Sequence, residues 1–259
     1  MNNQVILDIK NLSKVYMGEK YKVEALKDIS FHLKYGEIVA IMGTSGSGKS
    51  TLLNILGALD DPTTGTIELN GNYSKDMFEE PQASLYRREN IGFIFQSFHL
   101  LKDLSVEENI ALPLILKEMD KKLIPKKVNE VIELMGLIEW KKHRPIQLSG
   151  GQQQRVAIGR AIITDPPIIL ADEPTGNLDF NTSRDILHAL VETKKQFNQS
   201  ILLVTHDAHV ATYADRILFF HDGRIVDEYH CGTHDDLDNI LTRFKVITEK
   251  QTVCKQSKD

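Results

Sequence analysis

The run Gly43-Thr44-Ser45-Gly46-Ser47-Gly48-Lys49-Ser50-Thr51 constrains this chain more than any other stretch. It follows a compact apolar run of strand length, Glu37–Met42, and precedes Leu52, Leu53, Ile55 and Leu56 at helical spacing. A strand turning through glycines into a helix fits the phosphate-loop pattern G-x-x-x-x-G-K-[ST]. Glycines let the backbone fold closely around phosphate oxygens, and successive N–H groups then form an anion nest. The following helix points its positive dipole end at the same place. Lys49 is then placed to reach the β- and γ-phosphates, and the Ser50 hydroxyl to hold Mg²⁺. The competing reading, a Gly/Ser loop with an incidental lysine, is disfavoured by the correct flanking strand and helix. The loop implies a nucleotide site without separating a kinase, a GTPase and a motor ATPase.

The rest of the chain supplies the fold around this loop. Its 259 residues amount to about 1.7 domains of ordinary size, enough for a full core without disulfides or metals. Strands are expected at Val5–Ile9, Ile29–Leu33, Thr66–Leu69 and Ile91–Phe95, and again at Ile168–Ala171, Ile201–Thr205, Ile217–Phe220 and Arg224–Glu228. Between them, Leu104–Met119, Lys126–Met135 and Gly151–Ile163 carry three- and four-residue apolar spacing, so 97–164 reads as a helical insertion. Strands alternating with helices mean an α/β fold with a mostly parallel sheet covered on both faces. Residues 250–259 are polar and read as a disordered tail.

Charge and composition exclude some classes. Lys and Arg number 31 against 36 Asp and Glu, a balance of −5, which argues against a broad nucleic-acid surface. The apolar runs are far shorter than the roughly 20 residues of a membrane-spanning helix, and the opening MNNQVILDIK lacks a secretory pattern. Cys231 and Cys254 read as free thiols. The composition is that of a soluble intracellular protein.

Three further motifs carry chemistry. Ile168–Ala171 is a fully apolar strand ending in Asp172-Glu173, where open α/β sheets bind ligands. Asp172 there has the part of a Mg²⁺ holder, and Glu173 can orient or deprotonate an attacking water. His206 closes the apolar strand Ile201–Thr205, and is expected at the same sheet edge as Lys49 and Asp172, in reach of the γ-phosphate. Leu148-Ser149-Gly150-Gly151-Gln152 opens a helix and makes a second phosphate cradle. One nucleotide has one γ-phosphate, so a second cradle suggests service to a nucleotide held by another copy. Taken alone, the same residues read as a plain loop.

Taken together these motifs resemble the ATP-binding subunit of ABC transporters, over about residues 5–230. In the family's order, Tyr16 sits at the adenine-stacking position, Gly43–Thr51 at Walker A and Gln96 at the Q-loop. Leu148–Gln152 matches the signature, Ile168–Asp172 with Glu173 matches Walker B and the catalytic glutamate, Asn177-Leu178-Asp179 the D-loop and His206 the switch histidine. The resemblance implies a P-loop NTPase fold with an N-terminal antiparallel β region and an inserted all-α subdomain. It implies a core of about 1–96 and 165–230, the insertion 97–164 and a C-terminal helix near 233–246, in one ATPase domain of 1–249. It implies ATP and Mg²⁺, with Ser50, Gln96 and Asp172 around the metal and Asp179 among the nucleotide-binding residues. It implies a head-to-tail dimer in which Ser149–Gln152 of one chain face the nucleotide held by its partner. Glu173 is then the general base and His206 a positioner and phosphate sensor. It implies a separate membrane permease, which holds the chain at the inner face of the cell membrane, and the apolar stretch Phe98–Leu101 lies where that subunit docks.

Wording such as LLNILGALDDPTTG (52–65) and LSGGQQQRVAIGRA (148–161) is similar to the lipoprotein-release and macrolide- or peptide-export group. A non-transporting subunit gating a cell-division or signalling complex is the alternative. Cytosolic ABC ATPases acting on nucleic acid or ribosomes carry further modules that this chain lacks. Gly159 departs from the family's usual alanine, which on a helix is expected to cost about 1 kcal/mol at most. The extension from Cys231, with Asp235, Asp236, Leu237, Ile240, Leu241 and Phe244, is expected to form a short amphipathic helix.

Overall fold

A computed structural model describes residues 4–18 and 21–256, with side chains described up to residue 249. In chain order its elements are β1 (Val5–Met17), β2 (Lys22–Lys34), β3 (Ile38–Gly43), α1 (Lys49–Leu56), β4 (Thr64–Leu69) and β5 (Asn72–Tyr73). Next come α2 (Gln82–Asn90), β6 (Ile91–Ile94), α3 (Val106–Leu116), α4 (Ile124–Leu134), α5 (Gly150–Ile162) and β7 (Ile168–Asp172). The last are α6 (Phe180–Phe197), β8 (Ser200–Thr205), α7 (Ala208–Ala211), β9 (Arg216–His221), β10 (Arg224–His230) and α8 (Asp236–Gln256). Two compact units divide the chain, one of Met1–Lys75 with Leu202–Asp259 and one of Asp76–Ile201.

The first unit holds an antiparallel sheet in the order β2-β1-β4-β5, and strands in the order β10-β9-β3-β8. All six residues of β3 and all six of β8 are buried, the pattern of strands covered on both faces. β3 pairs in parallel with β9, Ile41 opposite Leu218. β1 and β2 are 13 residues each, well over twice the length that their apolar ends announce. Their middles are broken by bulges at Asn11 (φ +52) and Asp28 (φ +57). There the Asn11 amide donates to the Asp28 carboxylate at 2.8 Å, and the Asp28 N–H donates to Ser13 Oγ at 3.0 Å. Each bulge turns the strand over by one residue, which removes the alternation that marks a strand.

In the second unit, β6 and β7 pair in parallel with Phe93 opposite Leu170. The described elements between them are all helical. α3 and α5 both begin with reciprocal capping boxes. Ser105 Oγ accepts from Glu108 N–H at 3.3 Å while Glu108 accepts from Ser105 N–H at 2.7 Å, and Ser149 and Gln152 do the same for α5. Each box satisfies two N–H groups that a helix start leaves without partners. The division of the chain at 75/76 and 201/202 groups the helices with β6, β7 and α6, rather than cutting at 96/97 and 164/165.

The C-terminal helix corrects two expectations. α8 starts at Asp236 and continues to Gln256, well past residue 246. Residues 250–256 are therefore helical rather than part of a disordered tail, and 257–259 lie outside the described residues. The stretch EKQTVCKQ contains neither glycine nor proline, so nothing in it stops a helix already nucleated upstream.

A buried guanidinium ties three parts of the first unit. Arg216, 3% exposed, donates to Glu37 Oε1 at 3.0 Å, to Glu228 Oε1 at 3.0 Å and to the His32 carbonyl at 2.6 Å. Burial opposes its charge, and the two carboxylates outweigh that and raise its pKa. Removing one member of a buried ion pair strands the others, at about 3–5 kcal/mol. Arg216→Ala is therefore expected to lower the melting temperature by roughly 10 °C, read by circular dichroism; a shift within about 2 °C would mean that the network contributes no net stability.

Candidate active site

Site residues predicted from the sequence fall in both units. The first carries Tyr16, Gly43–Thr51 and His206; the second carries Gln96, Ser149–Gln152, Asp172, Glu173 and Asp179.

In the first unit the chain leaves buried β3 at Gly43 and enters α1 at Lys49. A Cβ on Gly43 would lie 2.2 Å from the Phe220 carbonyl oxygen, so glycine is what lets the loop pass β9. Gly46 (φ +77) and Gly48 (φ +105) are left-handed, and a Cβ on Gly48 would meet the Ala25 carbonyl at 2.4 Å. The Gly223 N–H donates to the Ser47 carbonyl at 2.9 Å, fixing the outer turn. Lys49 is buried, and its Nζ donates to the carbonyls of Gly43 and Thr44, both at 2.8 Å. Ser47 Oγ is buried and unpartnered among the described residues. A loop with left-handed glycines, an inward lysine and an orphaned hydroxyl has the chemistry of an anion cradle, and its residues fit a nucleotide's phosphates.

Tyr16 stands beside the loop on a charged support that the sequence did not disclose. Its hydroxyl donates to Asp60 Oδ2 at 2.6 Å and also meets the Thr51 hydroxyl. The Lys14 ammonium lies 5.0 Å from the Tyr16 ring centre and donates to Asp60 Oδ1 at 2.6 Å. Desolvation, followed by the neighbouring Asp60, raises the phenol's pKa, so the ring stays neutral and keeps its donor. His206, exposed, follows β8, the neighbour of β3.

The second unit brings three of the remaining groups, Gln96, Asp172 and Glu173, into one chain of contacts. Asp172 ends β7 and Glu173 follows it with φ +46. A glutamate in this left-handed region is strained by about 1 kcal/mol or more, as happens at functional sites. The Gly176 N–H closes the turn on the Glu173 carbonyl at 3.0 Å. Gly176 also admits Gln96, whose Nε2 would lie 2.8 Å from a Cβ there, and the Asn177 amide donates to the Gln96 carbonyl at 3.0 Å. Beyond Gln96, Phe98 (φ +61) and His99 (φ +48) are left-handed in succession. Arg160 of α5 donates to both of their carbonyls, at 2.9 and 2.6 Å.

The signature residues and Asp179 also have structural duties. Ser149 and Gln152 cap each other, which leaves the N–H groups of Gly150 and Gly151 without intrahelical partners at the head of α5. Asp179 caps α6, with Oδ1 accepting from the N–H groups of Asn181 and Thr182, both at 3.1 Å, and Oδ2 from Thr182 Oγ1 at 2.6 Å. The Thr182 hydroxyl, and then its N–H, hold the Asp179 carboxyl below the usual range. Ser50 of the first unit offers a hydroxyl, and Asp172 and Gln96 of the second a carboxylate and an amide oxygen, each by its chemistry a hard donor of the kind that suits Mg²⁺.

The chain is similar to known proteins in both sequence and fold. The family described as ABC transporter matches residues 26–176. The chain is 42% identical over 246 residues to an uncharacterized ABC transporter ATP-binding protein, YvcR, of Bacillus subtilis, covering 93% of this chain and 95% of that one. It is also 42% identical to the lipoprotein-releasing system ATP-binding protein LolD of Bordetella pertussis, over 85% of this chain and 94% of that one. The dimeric structure of MJ0796, an ABC transporter cassette of Methanocaldococcus jannaschii, superposes with a TM-score of 0.81 at 40% identity, covering 88% of this chain and all of that one. A second dimeric structure of that cassette, in a post-hydrolysis state bound to ADP and phosphate, matches equally well. Among the described residues no helix is long and apolar enough to cross a membrane.

Proposed function

The chain belongs to the ABC transporter family and is an ATP-hydrolysing, ATP-binding subunit that powers a separate permease; from that premise we propose that it drives export or membrane extraction of a peptide, lipid-linked or drug-like substrate. The observation that carries the mechanism is the presence in one chain of two anion cradles, the Gly43–Thr51 loop and the capped head of α5. In this reading two copies associate head to tail around two ATP molecules. Each nucleotide lies between the Lys49 loop of one copy and the Gly150 and Gly151 amides of the other. Tyr16, fixed by Asp60 and Lys14, presents its ring to the adenine. The similarity to LolD, a subunit of a lipoprotein-releasing system, supports the substrate class, and the docked permease keeps the chain at the inner membrane face.

Ser50, Asp172 and Gln96 are the residues that would hold Mg²⁺, which when bound would neutralise charge on the phosphates. Glu173 takes the proton of the attacking water. His206, just past the strand beside β3, orients the γ-phosphate and registers its release. Gln96, seated against Gly176 on the Glu173 turn, links the nucleotide's state to the left-handed segment at Phe98-His99.

Affinity purification of the tagged full-length chain from detergent-solubilised membranes tests the transport reading. Recovery of a multi-span integral membrane protein with ATPase activity in the same complex is expected. Recovery of the chain with a single-span division or signalling protein, or without any membrane protein, would overturn it.

A further inference from the structure

We infer that Gln154 is a positioning residue for Glu173, tying the turn of the general base to α5 so that an event at the helix head is felt at this chain's own carboxylate. The inference rests on the roles proposed above for Glu173 and for Ser149–Gln152. Gln154 is fully buried, one helical turn inside α5. Its Nε2 donates to the Pro174 carbonyl at 2.6 Å, while its Oε1 has no partner among the described residues. An apolar side chain of similar size would fill the space and spare the unpaired Oε1, but would take the donor away from the buried Pro174 carbonyl. What glutamine adds there is the bond to Pro174.

That bond falls where the backbone most needs holding. Glu173 is left-handed and stands immediately before a proline, a position whose backbone freedom is already restricted. Such a conformation persists only when its surroundings over-determine it. The proline ring fixes φ of residue 174, so displacement of its carbonyl passes into ψ of residue 174 or back into the Glu173 backbone. The Gly176–Glu173 bond closes the turn on itself; Gln154 ties it to a helix.

α5 is built to carry such a tie. At its head, a Cβ on Gly151 would come within 2.4 Å of Thr182, and one on Gly150 within 3.3 Å of Leu178. Its first turn therefore sits directly on the segment that follows Glu173. Further along, Arg160 grips the Phe98 and His99 carbonyls. In the sandwich, the head of α5 meets the partner's nucleotide, whereas Glu173 serves the nucleotide on its own Lys49 loop. Gln154 thus couples the two sites of the dimer.

The test uses the full-length chain with Gln154→Met, which keeps length and loses the donor, and Gln154→Glu, whose carboxyl donates only while protonated. For Gln154→Met, kcat is expected to fall roughly ten- to hundredfold, with KM for ATP within about twofold of native. ATP-driven dimers of Gln154→Met combined with Glu173→Gln should still form on size exclusion. Burial raises a carboxyl pKa, so Gln154→Glu should keep its donor below that raised value and lose it above. Its kcat should therefore approach native at acid pH and fall as pH rises, a limb absent from the native and Met profiles. A kcat for Gln154→Met within about twofold of native overturns the inference. So does a Glu variant as impaired as Met at every pH, with KM rising alongside, which marks Gln154 as a space filler. Failure of the general-base reading itself would appear separately, as near-native turnover in Glu173→Gln with Gln154 intact.

Discussion

Glu173→Gln is expected to leave ATP binding intact, to slow turnover by at least about a hundredfold, and to accumulate an ATP-bound dimer. Glutamine has the shape of glutamate and loses only the ability to take a proton, so the turn held by Gly176 and Gln154 has no steric reason to change. The left-handed backbone at 173 disfavours both residues alike, which keeps the comparison chemical rather than structural. With water still positioned but no base to accept its proton, the nucleotide bridging two copies persists and the sandwich does not open. Phosphate release and size exclusion with and without ATP measure the two consequences. Turnover close to native would remove Glu173 from the role of base and shift attention to His206.

Ser149→Arg acts on the other cradle. The native hydroxyl accepts from Gln152 N–H at 3.3 Å, and losing a serine N-cap costs about 1 kcal/mol, which a buried core such as this one tolerates. The larger effect is geometric, because a long cationic side chain is placed at the head of α5, where a partner's nucleotide is to approach the Gly150 and Gly151 amides. The expected result is no ATP-driven dimer and hydrolysis reduced by two orders of magnitude or more, with ATP affinity of the single chain unchanged by equilibrium dialysis. Ser149→Ala separates the two effects, since it removes the cap and leaves the approach open; it should retain most dimer formation. Loss of ATP binding by the Ser149→Arg monomer would place the signature in the chain's own site and refute the trans arrangement.

The parts of this molecule written as local patterns were the legible ones. The phosphate loop is a contiguous run between a strand and a helix, and its glycines stand where left-handed backbone is needed. Buried strands such as β3, β7 and β8 declare themselves as unbroken apolar runs. Features that depend on a distant partner were hidden. β1 and β2 outrun their apolar ends because their bulges at Asn11 and Asp28 are pinned by side chains on the opposite strand. α6 has no glycine or proline, yet its start is set by Asp179, a residue that the motif order assigned to the nucleotide. The Asp60 support of Tyr16 spans 44 residues of chain and left no periodic trace. Glu173 takes a conformation that its residue type rarely adopts, and no pattern in the sequence announces it. The C-terminal helix outruns the expected one because a polar stretch without glycine or proline suits an exposed helix as well as a disordered tail.

Gly159 carries more than a small loss of helix stability. A Cβ there would stand 3.1 Å from Val131 Cγ1, 3.2 Å from Ile110 Cδ1 and 3.4 Å from Met135 Cγ, a tight fit in which the neighbouring side chains have to give way slightly. The effect of an alanine at 159 is therefore decided away from the position itself: the helix propensity gained there is set against the few tenths of an ångström by which Val131 and Ile110 have to yield. A smaller residue at 131 or 110 shifts that balance toward alanine, so the worth of a substitution at 159 is written partly in two other helices.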